Sequence, residues 1–250
     1  MNRSLLFSGF IVFLSFFSLA QKANAQSISH QLWDELLQAH VTDDGIVDYE
    51  GFIKEKDKFN RYLDLLRQGT PNRSWKRTEQ LAYWINAYNA FTVKLIIDHY
   101  PVKSIKDIKR GVPFVNTVWD IKFIEIGGKK YDLNNIEHGI LRKRFHEPRI
   151  HFAVNCASAS CPPLLNHAYT GAQLNRQLSQ QAKRFLADKS KNIITPDRLQ
   201  LSKIFKWFRK DFTQKGSLID FLNLYAPTTI HKNAKISYLP YDWRLNNRKY

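Results

Sequence analysis

Residues 77–99, RTEQLAYWINAYNAFTVKLIIDH, form the strongest periodic stretch in the chain. Leu81, Trp84, Ile85, Tyr88, Phe91, Thr92, Leu95 and Ile96 recur at three- and four-residue spacing, which predicts a long helix with one buried face. Pro101 stops it, because the residue before a proline is pushed out of the helical region. Within the stretch, Asn86 and Asn89 lie three apart among aromatic residues. Asparagine is a poor helix former, so a pair inside a central helix predicts specific hydrogen bonds. Those bonds serve either a neighbouring loop or a site.

The flanks supply shorter elements. Residues 28–40 read as an amphipathic helix through Leu32, Trp33, Leu36 and Leu37. Asp43-Asp44-Gly45 reads as a turn. As a calcium loop it would put His40, Thr42 and Gly51 at ligand positions, the wrong chemistry for a hard cation. A helix over about 50–67 follows. Ile121–Ile126 and Lys130–Leu133 around Gly127-Gly128 predict a β-hairpin. A helix over about 134–145 carries Glu137 and His138. Later elements are a helix to about Ala187, a hairpin around Pro196-Asp197, two short helices and a strand at Lys235–Leu239. With no repeat or linker between them, residues 26–250 read as a single α+β domain with a central buried helix and a small mixed or antiparallel sheet.

The chemistry is concentrated in His151–Leu165, HFAVNCASASCPPLL. It reads as an apolar strand, His151–Asn155, emptying into a loop with both cysteines of the chain, Cys156 and Cys161. Three readings stay open. Two cysteines in an exported chain invite a Cys156–Cys161 disulfide. Alternatively Cys156 is a nucleophile, with the N–H groups of Ala157 and Ser158 as oxyanion donors and a histidine as base. On an extended strand His151 would lie about 16 Å from Cys156, so His138, with Glu137 beside it as orienter, and His167 are the better-placed bases. The third reading, zinc on Cys156, Cys161, His138 and His167, has a loose spacing, and no metal or cofactor is assigned.

The N-terminus sets the expected compartment. Arg3, the apolar run Leu5–Ala20 and Ala23-Asn24-Ala25 predict a signal peptide over residues 1–25, and hence a periplasmic or secreted protein. Removing it takes away Arg3 and Lys22 and no acid, lowering the net charge from +16 to +14. The export signal and the scattered Lys and Arg residues argue against nucleic acid. The basic balance reads first as a solvated surface and names no partner; the alternative is an anionic cell-envelope polymer or a protein as partner, and no stable membrane span is expected after cleavage.

Several motifs occur together in order: Tyr83-Trp84-Ile85-Asn86-Ala87-Tyr88-Asn89-Ala90, Asn135-Ile136-Glu137-His138-Gly139-Ile140-Leu141-Arg142, Arg149-Ile150-His151-Phe152, Asn155-Cys156-Ala157-Ser158, Ser160-Cys161-Pro162-Pro163 and Leu201-Ser202-Lys203-Ile204-Phe205. In them the chain resembles, over about residues 70–225, the family of domain of unknown function 547. The resemblance implies no established activity. Its layout is similar to the papain and transglutaminase-like fold, but the start of the core helix, where that fold keeps its cysteine, is here marked by Asn86 and Asn89. The expected activity is a thiol-dependent hydrolase or acyl transferase: Cys156 as nucleophile, His138 as base, Glu137 as orienter, and Asn86, Asn89, His151 and Ser158 as polar support. The alternative is a non-enzymatic periplasmic binding or assembly protein with a structural disulfide. The family's intracellular relatives, where disulfides are rare, weigh against a motif kept for a staple alone.

Overall fold

Helix α4 (Arg77–Ile97) is buried on all sides, not on one face; between Leu81 and Ile97 only Lys94 escapes burial. The computed structural model describes residues 27–108 and 117–247. The signal-peptide reading of residues 1–25 lies outside them. On one side of α4, α1 (Gln31–His40), α2 (Tyr49–Lys54) and α3 (Lys56–Gln68) close around Trp33. Trp33 stacks on Tyr62 with ring centroids 5.6 Å apart. Burying each such side chain contributes about 1.5–3 kcal/mol, so this layer is fixed mainly by aromatic packing. The helix expected over 50–67 is broken at Glu55 into α2 and α3.

The hairpin forms where it was expected. Strands β1 (Ile124–Ile126) and β2 (Lys129–Tyr131) pair antiparallel. Gly127 and Gly128 both take positive φ, at 58° and 71°, the requirement of a tight primed turn. Next comes a π-helix, Asn135–Arg142, continued by the single turn α5 (Lys143–Phe145). The remainder is α6 (Leu174–Ala187), β3 (Ile193–Ile194), β4 (Arg198–Leu201), α7 (Ile204–Trp207), α8 (Arg209–Phe212), α9 (Leu218–Asn223) and β5 (Lys235–Tyr238). Strand β4 pairs antiparallel with β3 and parallel with β5, Leu199 opposite Ile236. The fold class is α+β.

Two apolar clusters result. The larger surrounds α4; the smaller packs α6 to α9 against the three-stranded sheet through Phe152, Phe185, Phe205 and Phe212. Residues 148–154 run along the seam between them, and here the strand expectation is corrected. Pro148–Phe152 is a 3-10 helix whose start is capped by Glu147, accepting from the Arg149 N–H at 3.1 Å. Ala153 and Val154 then donate back to the Ile150 carbonyl at 2.9 and 3.0 Å. The run looked like a strand because its neighbours are all buried: Ile150, Ala153 and Val154 face the larger cluster, and Phe152 the smaller. Continuous burial erases the periodicity that separates helix from strand.

Candidate active site

The two helix asparagines are backbone clips. Asn86 donates to the Tyr169 carbonyl at 2.8 Å and accepts from the Tyr169 N–H at 3.0 Å. One turn on, Asn89 donates to the Ala153 carbonyl and accepts from the Asn155 N–H, both at 2.9 Å. All of these groups are buried, where an unpaired amide is costly. Asn89→Ala strands a carbonyl and an N–H together, so a loss of about 2–4 kcal/mol is expected, read as a lower urea midpoint at unchanged slope. A loss below about 0.5 kcal/mol would show that the clip is not needed.

From the Asn89 clip the chain enters the cysteine loop, which fastens itself. The Asn155 side chain donates to the Pro162 carbonyl at 2.8 Å and accepts from the Ala157 N–H at 2.8 Å. That Asx turn holds Ala157 in the left-handed region, φ 58°. It also occupies the Ala157 N–H, which is therefore not an oxyanion donor, contrary to expectation. The far side of the loop is stitched to the C-terminal segment: Ala159 N–H to the Arg244 carbonyl at 2.8 Å, Ser160 N–H to the Asp242 carbonyl at 3.2 Å, and Asp242 N–H to Ser160 Oγ at 2.8 Å. Gly45, at φ 83°, packs against the closing proline; a Cβ there would sit 2.4 Å from Pro163 Cβ. The sulfurs of Cys156 and Cys161 are at disulfide distance, with Cα atoms 6.3 Å apart, inside the range a disulfide requires.

Cys156 and Cys161 line a cavity of about 220 Å³, together with Glu137, His138 and His151. Tyr88 of α4 and Tyr241 also face it. Trp119, Trp207, Phe208 and Trp243 add an aromatic part to its wall, and Asn134, Val154, Pro162 and Ile204 complete it. Trp207 packs on Tyr241 and Trp243 with centroids 4.7 and 5.9 Å away, yet remains 46% exposed.

Behind His151 in the wall lies a charged group that fixes its position rather than relaying protons. Asp211 of α8 takes two hydrogen bonds from Arg142, at 2.5 and 2.9 Å, and one from His151 Nε2 at 2.7 Å. Burial alone would raise its pKa, but the bonds from His151 and Arg142 outweigh it and hold the carboxyl well below the ordinary range. An ionised Asp211 requires the proton of His151 on Nε2. Burial outweighs the attraction of Asp211 and lowers the His151 pKa, so the ring is neutral at pH 7. Its Nδ1 is buried with no hydrogen-bond partner among the described residues. The ring lies flat on Phe208, centroids 4.0 Å apart, which fixes its plane.

His138 is arranged differently. Arg142 donates to its Nδ1 at 2.9 Å, so that lone pair is taken and the proton sits on Nε2. Burial, then the Arg142 charge, lowers its pKa. Glu137 is hydrogen bonded to the Tyr88 hydroxyl; burial outweighs that bond and pushes its pKa up to about 7. His167 is absent from the cavity wall and pairs instead with Asp34 at 3.2 Å on the surface. Among the described residues, no group of three or more His, Cys, Asp and Glu side chains is placed to hold a metal ion.

The cavity thus gathers Cys156, Cys161, Glu137, His138 and His151, and Ser158 joins through its hydroxyl, which donates to Tyr241 Oη at 3.1 Å. Asn86 and Asn89 stand behind it as supports. Sequence reasoning missed Asp211, Tyr88 and Tyr241 as functional groups. A signal existed for Asp211, the single acid following Lys203, Lys206, Arg209 and Lys210.

No helix among the described residues is long and apolar enough to cross a membrane. Comparison with curated proteins and with solved structures returns no match. A family model does match, and it spans α4, the hairpin, the π-helix, the cysteine loop and nearly all of α6. Residues 72–186 of this chain match the model of the family described as protein of unknown function, DUF547.

Proposed function

We propose that the cavity is the active site of a thiol-dependent hydrolase or acyl transferase, with Cys156 as nucleophile in its reduced form. The observation that carries this reading is the convergence on one cavity of Cys156 and a His151–Asp211 pair whose free ring nitrogen, Nδ1, is unpartnered. In this reading the base is His151, not His138. A neutral imidazole with one nitrogen tied to an ionised carboxylate has its other lone pair available to take the thiol proton. The imidazolium then formed is stabilised by Asp211. His138 lacks this property, because Arg142 occupies its lone pair and disfavours its charged form.

Tyr241 supplies the oxyanion donor that Ala157 does not. Its hydroxyl accepts from Ser158, lies 3.5 Å from Cys156 Sγ and donates to Cys161 Sγ at 3.4 Å while the disulfide is closed; in the reduced form that proton turns toward the Cys156 sulfur or a developing oxyanion. Glu137, protonated over much of the neutral range, is a further O–H donor in the wall. The indoles of Trp119, Trp207 and Trp243 would hold a planar or apolar acyl group. A second reading rests on the exposed Trp207 beside Trp243: a non-catalytic binding cleft for a ring-shaped ligand.

The test uses Cys161→Ser, which leaves Cys156 as a permanent thiol. Incubated with 4-nitrophenyl acetate, it is expected to acylate at Cys156 at least about 100-fold faster than a free cysteine thiol. Adding His151→Ala should remove that advantage. Acylation at the free-cysteine rate, unchanged by His151→Ala, would leave the binding reading in its place.

A further inference from the structure

The two sulfurs are not equivalent. Cys161 is buried, 6% exposed, and its Sγ accepts hydrogen bonds from the Cys156 N–H at 3.0 Å and from the Tyr241 hydroxyl at 3.4 Å. Cys156 is only half-buried, and its own N–H is turned to the partner sulfur. In thiol–disulfide exchange the bond breaks toward the sulfur better able to leave as thiolate, and the accessible sulfur is the one attacked. Both criteria select the same polarity here: attack at Cys156, departure of Cys161.

The loop, moreover, does not depend on the disulfide for its shape. Asn155 spans it internally, Asn89 clips its entry, and Ala159, Ser160 and Asp242 stitch its far side. A ring this small removes little chain entropy, about 2 kcal/mol. A bond that adds little as a fastener, yet lies in the wall of the cavity that His151 also lines, has its main consequence in withholding a thiol.

We propose that the Cys156–Cys161 disulfide is a reversible mask on Cys156, opened by exchange with a dithiol reductant that attacks Cys156 Sγ and expels Cys161 as thiolate. This rests on the reading of Cys156 as nucleophile. In the first step a reductant thiolate forms a bond to Cys156 Sγ. The Cys156–Cys161 bond breaks, and its electron pair goes to Cys161 Sγ, held by the Cys156 N–H and the Tyr241 hydroxyl. The proton given up by the attacking thiol reaches Cys161 through solvent. In the second step the reductant's other thiolate, its proton released to solvent, attacks its own bridged sulfur and releases Cys156 as thiolate, which takes up a proton from solvent. The dithiol leaves as a disulfide, having supplied two electrons.

The experiment treats the folded, oxidised protein with dithiothreitol or glutathione, without denaturant, and blocks free thiols with iodoacetamide for peptide mapping. Dithiothreitol should open the bond with the fold retained. Glutathione should be found on Cys156 at least about tenfold more than on Cys161. Tyr241→Phe should slow opening several-fold. A disulfide that opens only on unfolding, or glutathione carried by Cys161, overturns the mask. The two proposals fail separately. If the bond resists reduction but Cys161→Ser acylates, the mask falls and the nucleophile stands. If the bond opens as described but free Cys156 does not acylate, the nucleophile and the mask on it fall, and only the exchange chemistry survives.

Discussion

Asp211→Asn is expected to cost about 2–4 kcal/mol of stability at pH 7 and, in the Cys161→Ser background, about 10³-fold in the acylation rate of Cys156. Both effects come from one carboxylate serving two partners. Asparagine keeps the shape but not the charge, so the Arg142 guanidinium loses its counter-ion and His151 loses the acceptor that keeps its proton on Nε2. The stability figure is set below that of a fully buried pair because the Arg142 side chain is 28% exposed. The pH dependence has a definite sign. The folded-state pKa of Asp211 lies below its unfolded value of about 3.9, so its contribution is complete above about pH 4 and is lost as pH falls through the folded value. The difference between wild type and variant, followed by urea denaturation, should therefore narrow below pH 4. A gap that is the same at pH 7 and pH 3 would place its origin elsewhere.

Glu137→Gln is expected to act in the opposite direction. The carboxyl has its pKa raised from 4.5 to about 7 by burial, so ionising it in the folded protein costs about 3 kcal/mol. Stability from this group is fully present below about pH 4.5 and is lost as pH rises through 7. A glutamine is neutral throughout and retains an acceptor for the Tyr88 hydroxyl. The variant should match wild type near pH 4.5 and exceed it by about 1–3 kcal/mol at pH 8, a rise in Tm of several degrees. Thermal unfolding across that range decides it. Equal stability of the two proteins at pH 8 would mean that Glu137 is already solvated when charged. Because the residue faces the cavity, the stabilised variant is also expected to be a poorer catalyst, the usual exchange at a site that holds a destabilising group.

How much of this was legible from the chain differs by element. Helix α4 was readable because its aromatic and aliphatic residues repeat at helical spacing, and its asparagines because they contradict local propensity. The hairpin was readable because Gly127-Gly128 leaves few alternatives. The stretch His151–Asn155 was misread as a strand, since a segment buried on both faces looks the same as strand or helix, and the error misplaced His151. Treated as extended, it was too far from Cys156; in a 3-10 turn it shares a cavity with it. The Asp211–His151 pair spans 60 positions, and nothing local couples a lone acid in α8 to a histidine after Pro148. The choice between His138 and His151 turned on Arg142, whose donation to one ring and not the other is a matter of side-chain placement. Local patterns gave the secondary structure, whereas protonation states required the assembled neighbours.

The aromatic rim has an optical consequence. Trp119, Trp207 and Trp243, half of the six tryptophans in the chain, line the same cavity as the Cys156–Cys161 pair. An excited indole transfers an electron readily to a nearby disulfide and poorly to a thiol. Emission from this protein should therefore be dim when the bond is closed and brighten when it opens, with no label attached. The side chains that shape the mouth of the cavity would then report, photon by photon, on the oxidation state of its floor.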